Sequence, residues 1–118
     1  MKTAIFPLGL ALAVGSLFLG LASAADVAKG KAAFQQYCAS CHGAAGKGDG
    51  PVGASMKLKL KDFSDKAYNG SLKEDYLSKV IKEGGQAVGK SPTMPKMGGI
   101  LKDDGVADVI AYIRSLGK

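Results

Sequence analysis

The chain is poor in the residues that most often mark a site: one histidine, two cysteines and no tryptophan. A single imidazole excludes any centre built on paired histidines. Cys38 and Cys41 stand too close together to staple a domain, so a disulfide framework is excluded as well. A zinc site would have these three side chains and no more. Adjacent Cys41 and His42 are also badly placed for one tetrahedron. Acidic residues number 10 against 16 Lys plus Arg, a formal charge of +6. No cluster of these basic residues interleaves with aromatics, so the charge gives no footprint for nucleic acid.

A long, mostly apolar run occurs at the start, from Ala4 to Leu21. Lys2 precedes it and Ala22-Ser23-Ala24 follows, the small-x-small pattern of a signal peptidase site. Residues 1–24 therefore read as a cleaved signal peptide. The alternative is a retained anchor, but Pro7, Gly9, Gly15 and Gly20 make a poor spanning helix. Export would carry both cysteines into an oxidising space such as a bacterial periplasm. Loss of Lys2 lowers the positive charge by one. Residues 25–118 suffice for one domain with a limited core, a size that often needs a staple or cofactor. No stable membrane insertion of the mature chain is expected.

Within that domain the patterning predicts helices. Asp26 can cap a first helix in which Val27, Gly30, Phe34 and Cys38 recur at spacings of three and four. Gly30 is costly inside a helix unless another backbone packs closely there. Gly43 to Gly53 is glycine-rich with Pro51, hence a loop. It lacks the order of a phosphate cradle, having no Ser or Thr after Lys47 and no strand before it. Met56 to Phe63 alternates, with Lys57, Lys59 and Lys61 opposing Leu58 and Leu60. That predicts an extended segment. Ser71-Leu72-Lys73-Glu74 reads as a capping box before Tyr76, Leu77, Val80 and Ile81, and Gly84-Gly85 ends that helix. Gln86 to Ile100 is a second Gly/Pro-rich loop. Asp103 or Asp104 can start a last helix whose stripe is Val106, Val109, Ile110, Ile113 and Leu116, with Tyr112 beside it. The expectation is three helices, two loops and an all-α class.

The chemistry lies in Cys38-Ala39-Ser40-Cys41-His42. C-x-x-C-H is the covalent haem attachment signature: each thiol can add to one vinyl group, and the next residue can set an imidazole on the iron. A thioredoxin-type C-x-x-C would expect a strand before the motif, where this chain has an amphipathic helix. The sixth iron position could be methionine, lysine or empty. Met94, bracketed by Pro92 and Pro95 in a stiff turn, is favoured, with Met97 as the alternative axial ligand. Met56 stands too near the attachment motif to reach the opposite face.

On these residues the chain resembles a class I c-type cytochrome, a small single-haem cytochrome c. Gly30 and Phe34 match the first helix of that family, and Val109 and Tyr112 the last. Met94-Pro95 matches its Met-Pro pair, and Pro51 the proline whose carbonyl holds the ligand imidazole. The resemblance implies a cytochrome c fold in which the terminal helices cross and Gly/Pro-rich loops enclose the haem. It also implies one covalent haem c on Cys38 and Cys41, with His42 and Met94 as axial ligands. The function implied is one-electron carriage by a periplasmic monomer that meets redox proteins with an acidic docking patch, and no catalysis. Without tryptophan, a haem propionate must find other donors. The alternatives are a haem-bearing subunit of a larger oxidase or dehydrogenase complex, and a haem peroxidase or gas-binding protein with an open sixth site.

Overall fold

A computed structural model describes residues 3–5, 9 and 24–118. Most of the apolar run read as a signal peptide lies outside the described residues. The helices are α1 (Val27–Tyr37), α2 (Ala39–His42), α3 (Pro51–Ser55), α4 (Lys66–Ser71), α5 (Glu74–Glu83) and α6 (Gly98–Leu116), with a 3-10 turn at Gly85–Val88. No strand occurs among the described residues, and none of their helices is long and apolar enough to cross a membrane.

α1 begins as its sequence predicts. The Asp26 carboxylate accepts from the Lys29 N–H at 3.0 Å, satisfying one of the helix's unpaired first-turn donors. The Asp26 N–H in turn donates to Asp108 Oδ1 of α6 at 2.7 Å. Gly30 and Phe34 are buried against α6. Val27 departs from expectation and is 45% exposed, because the contact with α6 is centred one turn later. A Cβ on Gly30 would collide with the Asp108 carbonyl, and the Phe34 ring meets Tyr112 edge-on at 5.1 Å. The four residues expected at the crossing of the terminal helices are all found in its buried faces. Phe34 is 1% exposed, and truncating it to Ala would cost about 3–5 kcal/mol.

Val106, Val109, Ile110, Tyr112 and Ile113 of α6 are buried, and Leu116 is half-buried. The helix is interrupted at Lys102 (φ 59°, ψ 174°), so the continuous segment starts at Asp103, one of the two predicted starts. α5 buries Leu77 and Ile81 on the same core and ends at Gly84, whose φ of 88° suits glycine.

The capping box is not formed. Ser71 is the last residue of α4, and its hydroxyl donates back to the Tyr68 carbonyl at 2.6 Å. The carboxylate of Glu74 instead pairs with Arg114 at 3.2 Å, and Lys73 occupies the cap position without a side-chain bond. The glycine loop also holds a short helix, α3, begun by Pro51 at its first position, where a missing N–H costs nothing. Between α3 and α4 the predicted alternation holds: Lys57, Lys59 and Lys61 are exposed, and Leu58 and Leu60 are half-buried.

Candidate functional site

α1 delivers the chain directly into the motif. The Cys38 N–H still bonds the Phe34 carbonyl at 2.8 Å, while the Cys38 carbonyl accepts from Cys41 (3.2 Å) and His42 (2.9 Å). Cys38 to His42 is thus one closed turn, with both cysteines and the histidine half-buried. The thiols are free rather than joined. The Cys38 thiol is pushed up to about 11, chiefly by burial and further by Cys41.

The glycine loop wraps this turn. Gly48 N–H donates to the His42 carbonyl at 2.7 Å, and Gly50 N–H to the Cys41 carbonyl at 3.1 Å. A Cβ on Gly53 would stand 2.8 Å from that same Cys41 carbonyl oxygen. Glycine is needed here because backbone lies on backbone.

Aromatic rings enclose the imidazole. Phe63 stacks on it at 5.2 Å with planes 24° apart, and Phe34 lies tilted at 6.4 Å. Burial lowers the His42 pKa below 6.5, which favours the neutral ring a metal ligand requires. Nδ1 is buried and has no hydrogen-bond partner. The bond to the Pro51 carbonyl implied by resemblance is therefore not formed in this structure. Pro51 instead stands exposed at the first position of α3.

The methionines differ in setting. Met97 is 7% exposed within the apolar core that includes Leu77 and Ile81, and its N–H bonds the Ile81 carbonyl at 2.9 Å. Met94 is half-buried in the separate loop, its carbonyl accepting from Gly85 N–H at 3.0 Å. Next to it, the Ser91 and Thr93 hydroxyls are 2.5 Å apart. Met56 is 49% exposed.

Two contributors are not legible in the sequence. Phe63 reads there as the end of an alternating segment, and Asn69 carries no motif at all. In the structure Phe63 covers the imidazole, and Asn69 is the buried polar side chain of the core, 4% exposed.

These residues fit a haem. Two free thiols share one turn with an imidazole that burial biases toward its neutral form, the donor set that covalent haem attachment needs. Among the described residues no group of three or more His, Cys, Asp or Glu could hold a bare metal ion. The family model for cytochrome c matches residues 27–117, from the start of α1 to the residue after α6. No curated protein and no solved structure matched the chain. Members of the matched family bind haem c covalently and are usually electron carriers rather than enzymes. With nearly the whole described fold covered, and Cys38 and Cys41 at the attachment spacing, the chain belongs to the cytochrome c family and is a haem-bearing electron-transfer protein.

Proposed function

We propose that this chain is an exported, periplasmic carrier of single electrons that works as a monomer with one haem c. Cys38 and Cys41 are the attachment points, and His42 and Met94 are the axial ligands. The bound haem supplies a one-electron couple between ferrous and ferric iron. The observation that carries the proposal is the closed turn from Cys38 to His42, with free thiols and a ring-enclosed imidazole. Each attachment turns an S–H and a vinyl C=C into a C–S and a C–H bond, so free thiols are the required starting state.

With Nδ1 enclosed by protein, Nε2 is the nitrogen offered to iron. The Nδ1–H is left for a carbonyl acceptor, the role the resemblance implies for Pro51. Met94 is preferred to Met97 because the Met97 side chain is already taken up by the core. An imidazole and a thioether together raise the reduction potential and keep small ligands off the iron. Redox partners would be met through exposed lysines. Lys47, Lys57, Lys59, Lys61, Lys90 and Lys96 are all exposed, and none is in a salt bridge among the described residues. An acidic patch on the partner would complement them.

The test is an absorption spectrum of the exported protein, oxidised and reduced, followed by carbon monoxide. A low-spin spectrum with the sulfur-to-iron band and poor carbon monoxide binding is expected. Ready carbon monoxide binding would instead support an open sixth site and an enzymatic or gas-binding role. Elution of the native extract as a large complex would support the subunit alternative.

A further inference from the structure

We infer that Gly85, the second glycine after α5, is a positioning residue for Met94, whose main chain it seats so that this methionine and not Met97 is presented as a ligand. The inference rests on the proposed role of Met94 as an axial ligand. It begins from the main chain of Met94, both of whose polar groups are used. The Met94 N–H bonds the Ser91 carbonyl at 3.3 Å, closing a turn with Pro92 and Thr93 at its centre. The Met94 carbonyl accepts from the Gly85 N–H at 3.0 Å. The turn is braced from inside, where the Ser91 hydroxyl takes the Thr93 N–H at 3.2 Å and meets the Thr93 hydroxyl at 2.5 Å.

Gly85 closes the loop with both of its own groups. Besides donating to Met94, it accepts from the Lys90 N–H at 2.8 Å. A side chain has no room there. A Cβ on Gly85 would collide with the Ser91 carbonyl and stand 3.0 Å from Met94 Cβ. Its φ is not positive, so close approach is what requires glycine at this position. Gly84 lies on the same seat, since a Cβ on it would come 3.0 Å from the Met94 carbonyl oxygen.

A second fastening follows. The Met97 N–H bonds the Ile81 carbonyl at 2.9 Å, and a Cβ on Gly98 would stand 3.1 Å from the Lys82 carbonyl oxygen. The loop thus runs back along the end of α5, tied at Gly85 and again at Ile81. A slip that brought Met97 to the place of Met94 would break both ties. The seat therefore fixes the register of the loop as well as its distance from α5. A group that orients a metal ligand tunes the metal without touching it.

Linkage gives the test. If the Gly85 bond favours Met94 on the iron, then displacing Met94 must weaken the Gly85 bond. Added imidazole is the probe, a small base that competes for the sixth position of the haem-loaded ferric protein. Gly85→Ala should bind imidazole about tenfold more tightly than the wild type, the scale of one lost backbone hydrogen bond, and should weaken the sulfur-to-iron band. Gly30→Ala, which loosens the helix crossing instead, should lower stability and leave imidazole affinity unchanged. This separates positioning from a general loss of stability. Amide hydrogen exchange of the wild type needs no variant and decides the matter if Gly85→Ala does not fold or load haem. Saturating imidazole should speed exchange of the Gly85 N–H, while the Gly84 N–H, bonded to the Val80 carbonyl at 2.9 Å, should keep its protection. Wild-type imidazole affinity in folded Gly85→Ala, or a Gly85 N–H indifferent to imidazole, overturns the inference while leaving Met94 as the ligand. If the sulfur-to-iron band persists in Met94→Ala, the ligand assignment itself fails, and this inference falls with it.

Discussion

Gly30 of α1 lies so close to the Asp108 backbone of α6 that a Cβ would overlap the Asp108 carbonyl. The helix therefore carries its least favourable residue, after proline, at the point where the terminal helices touch. Elsewhere a Gly→Ala change in a helix gains up to about 1 kcal/mol. Here overpacking costs about 1–3 kcal/mol and wins. Gly30→Ala should lower the urea midpoint of unfolding. Gly70→Ala is the control, since nothing lies within 4 Å of a Cβ in that position of α4, and it should raise the midpoint. Equal effects of the two changes would mean that the crossing is looser than described.

Lys102 is the opposite case, a side-chain-bearing residue where glycine belongs. Its φ of 59° and ψ of 174° lie outside helical space, between Leu101 and the continuous part of α6. Non-glycine residues held there store about 1–3 kcal/mol. Lys102→Gly should relieve that strain and raise the melting temperature, although glycine in a regular helix lowers it. A lower melting temperature would show that Lys102 is helical in solution.

What the sequence makes legible here is what repeats or stands next to itself. The crossing could be anticipated because Gly30 and Phe34, like Val109 and Tyr112, are set by helical period. The attachment turn could be anticipated because its three side chains are within five residues. Asn69 is invisible for a physical reason: its partners are carbonyls, of Phe63 and of Ile113 44 residues away, and every residue carries a carbonyl. The capping box at Ser71 fails for a related one. Arg114 reaches Glu74 from 40 residues away and also donates to the Leu72 and Asn69 carbonyls, fixing a different start for α5. Local signals lose wherever a distant donor satisfies the backbone better.

Met94 and Met97 should separate cleanly under substitution. Met97→Ala removes a buried core side chain and should cost about 2–5 kcal/mol while the sulfur-to-iron band persists. Met94→Ala should abolish that band and lower the reduction potential, with a smaller loss from packing because its side chain is only half-buried. If the band vanishes in Met97→Ala instead, the axial assignment is wrong.

The aromatic stack over His42 has an alkaline limit. The Tyr68 hydroxyl is held above its ordinary value of 10.0, first by burial and then by the neighbouring Tyr76. A raised folded pKa means that the fold prefers the protonated phenol. The contribution is therefore complete below the unfolded value and is lost as pH climbs through the folded one. Tyr68→Phe should remove this dependence. Wild type and variant should keep a constant difference in urea midpoint up to about pH 10 and diverge above it, the wild type falling faster. Parallel curves throughout would show that Tyr68 ionises as freely in the fold as outside it.

The lysines that alternate with Leu58 and Leu60 bear on encounter rather than on folding. Lys57, Lys59 and Lys61 are exposed, and none is in a salt bridge among the described residues, so their field reaches solvent. Steering by such a field raises association rates by about tenfold or more and fades as the screening length shrinks from about 10 Å at 0.1 M salt to about 3 Å at 1 M. Stopped-flow electron transfer with an acidic redox partner should therefore slow as salt rises. Lys59→Glu and Lys61→Glu should slow it at low salt and flatten the salt dependence, while changing stability by no more than about 0.5 kcal/mol. A rate indifferent to ionic strength in the wild type would remove the lysines from the encounter and return them to the role of a solvated edge.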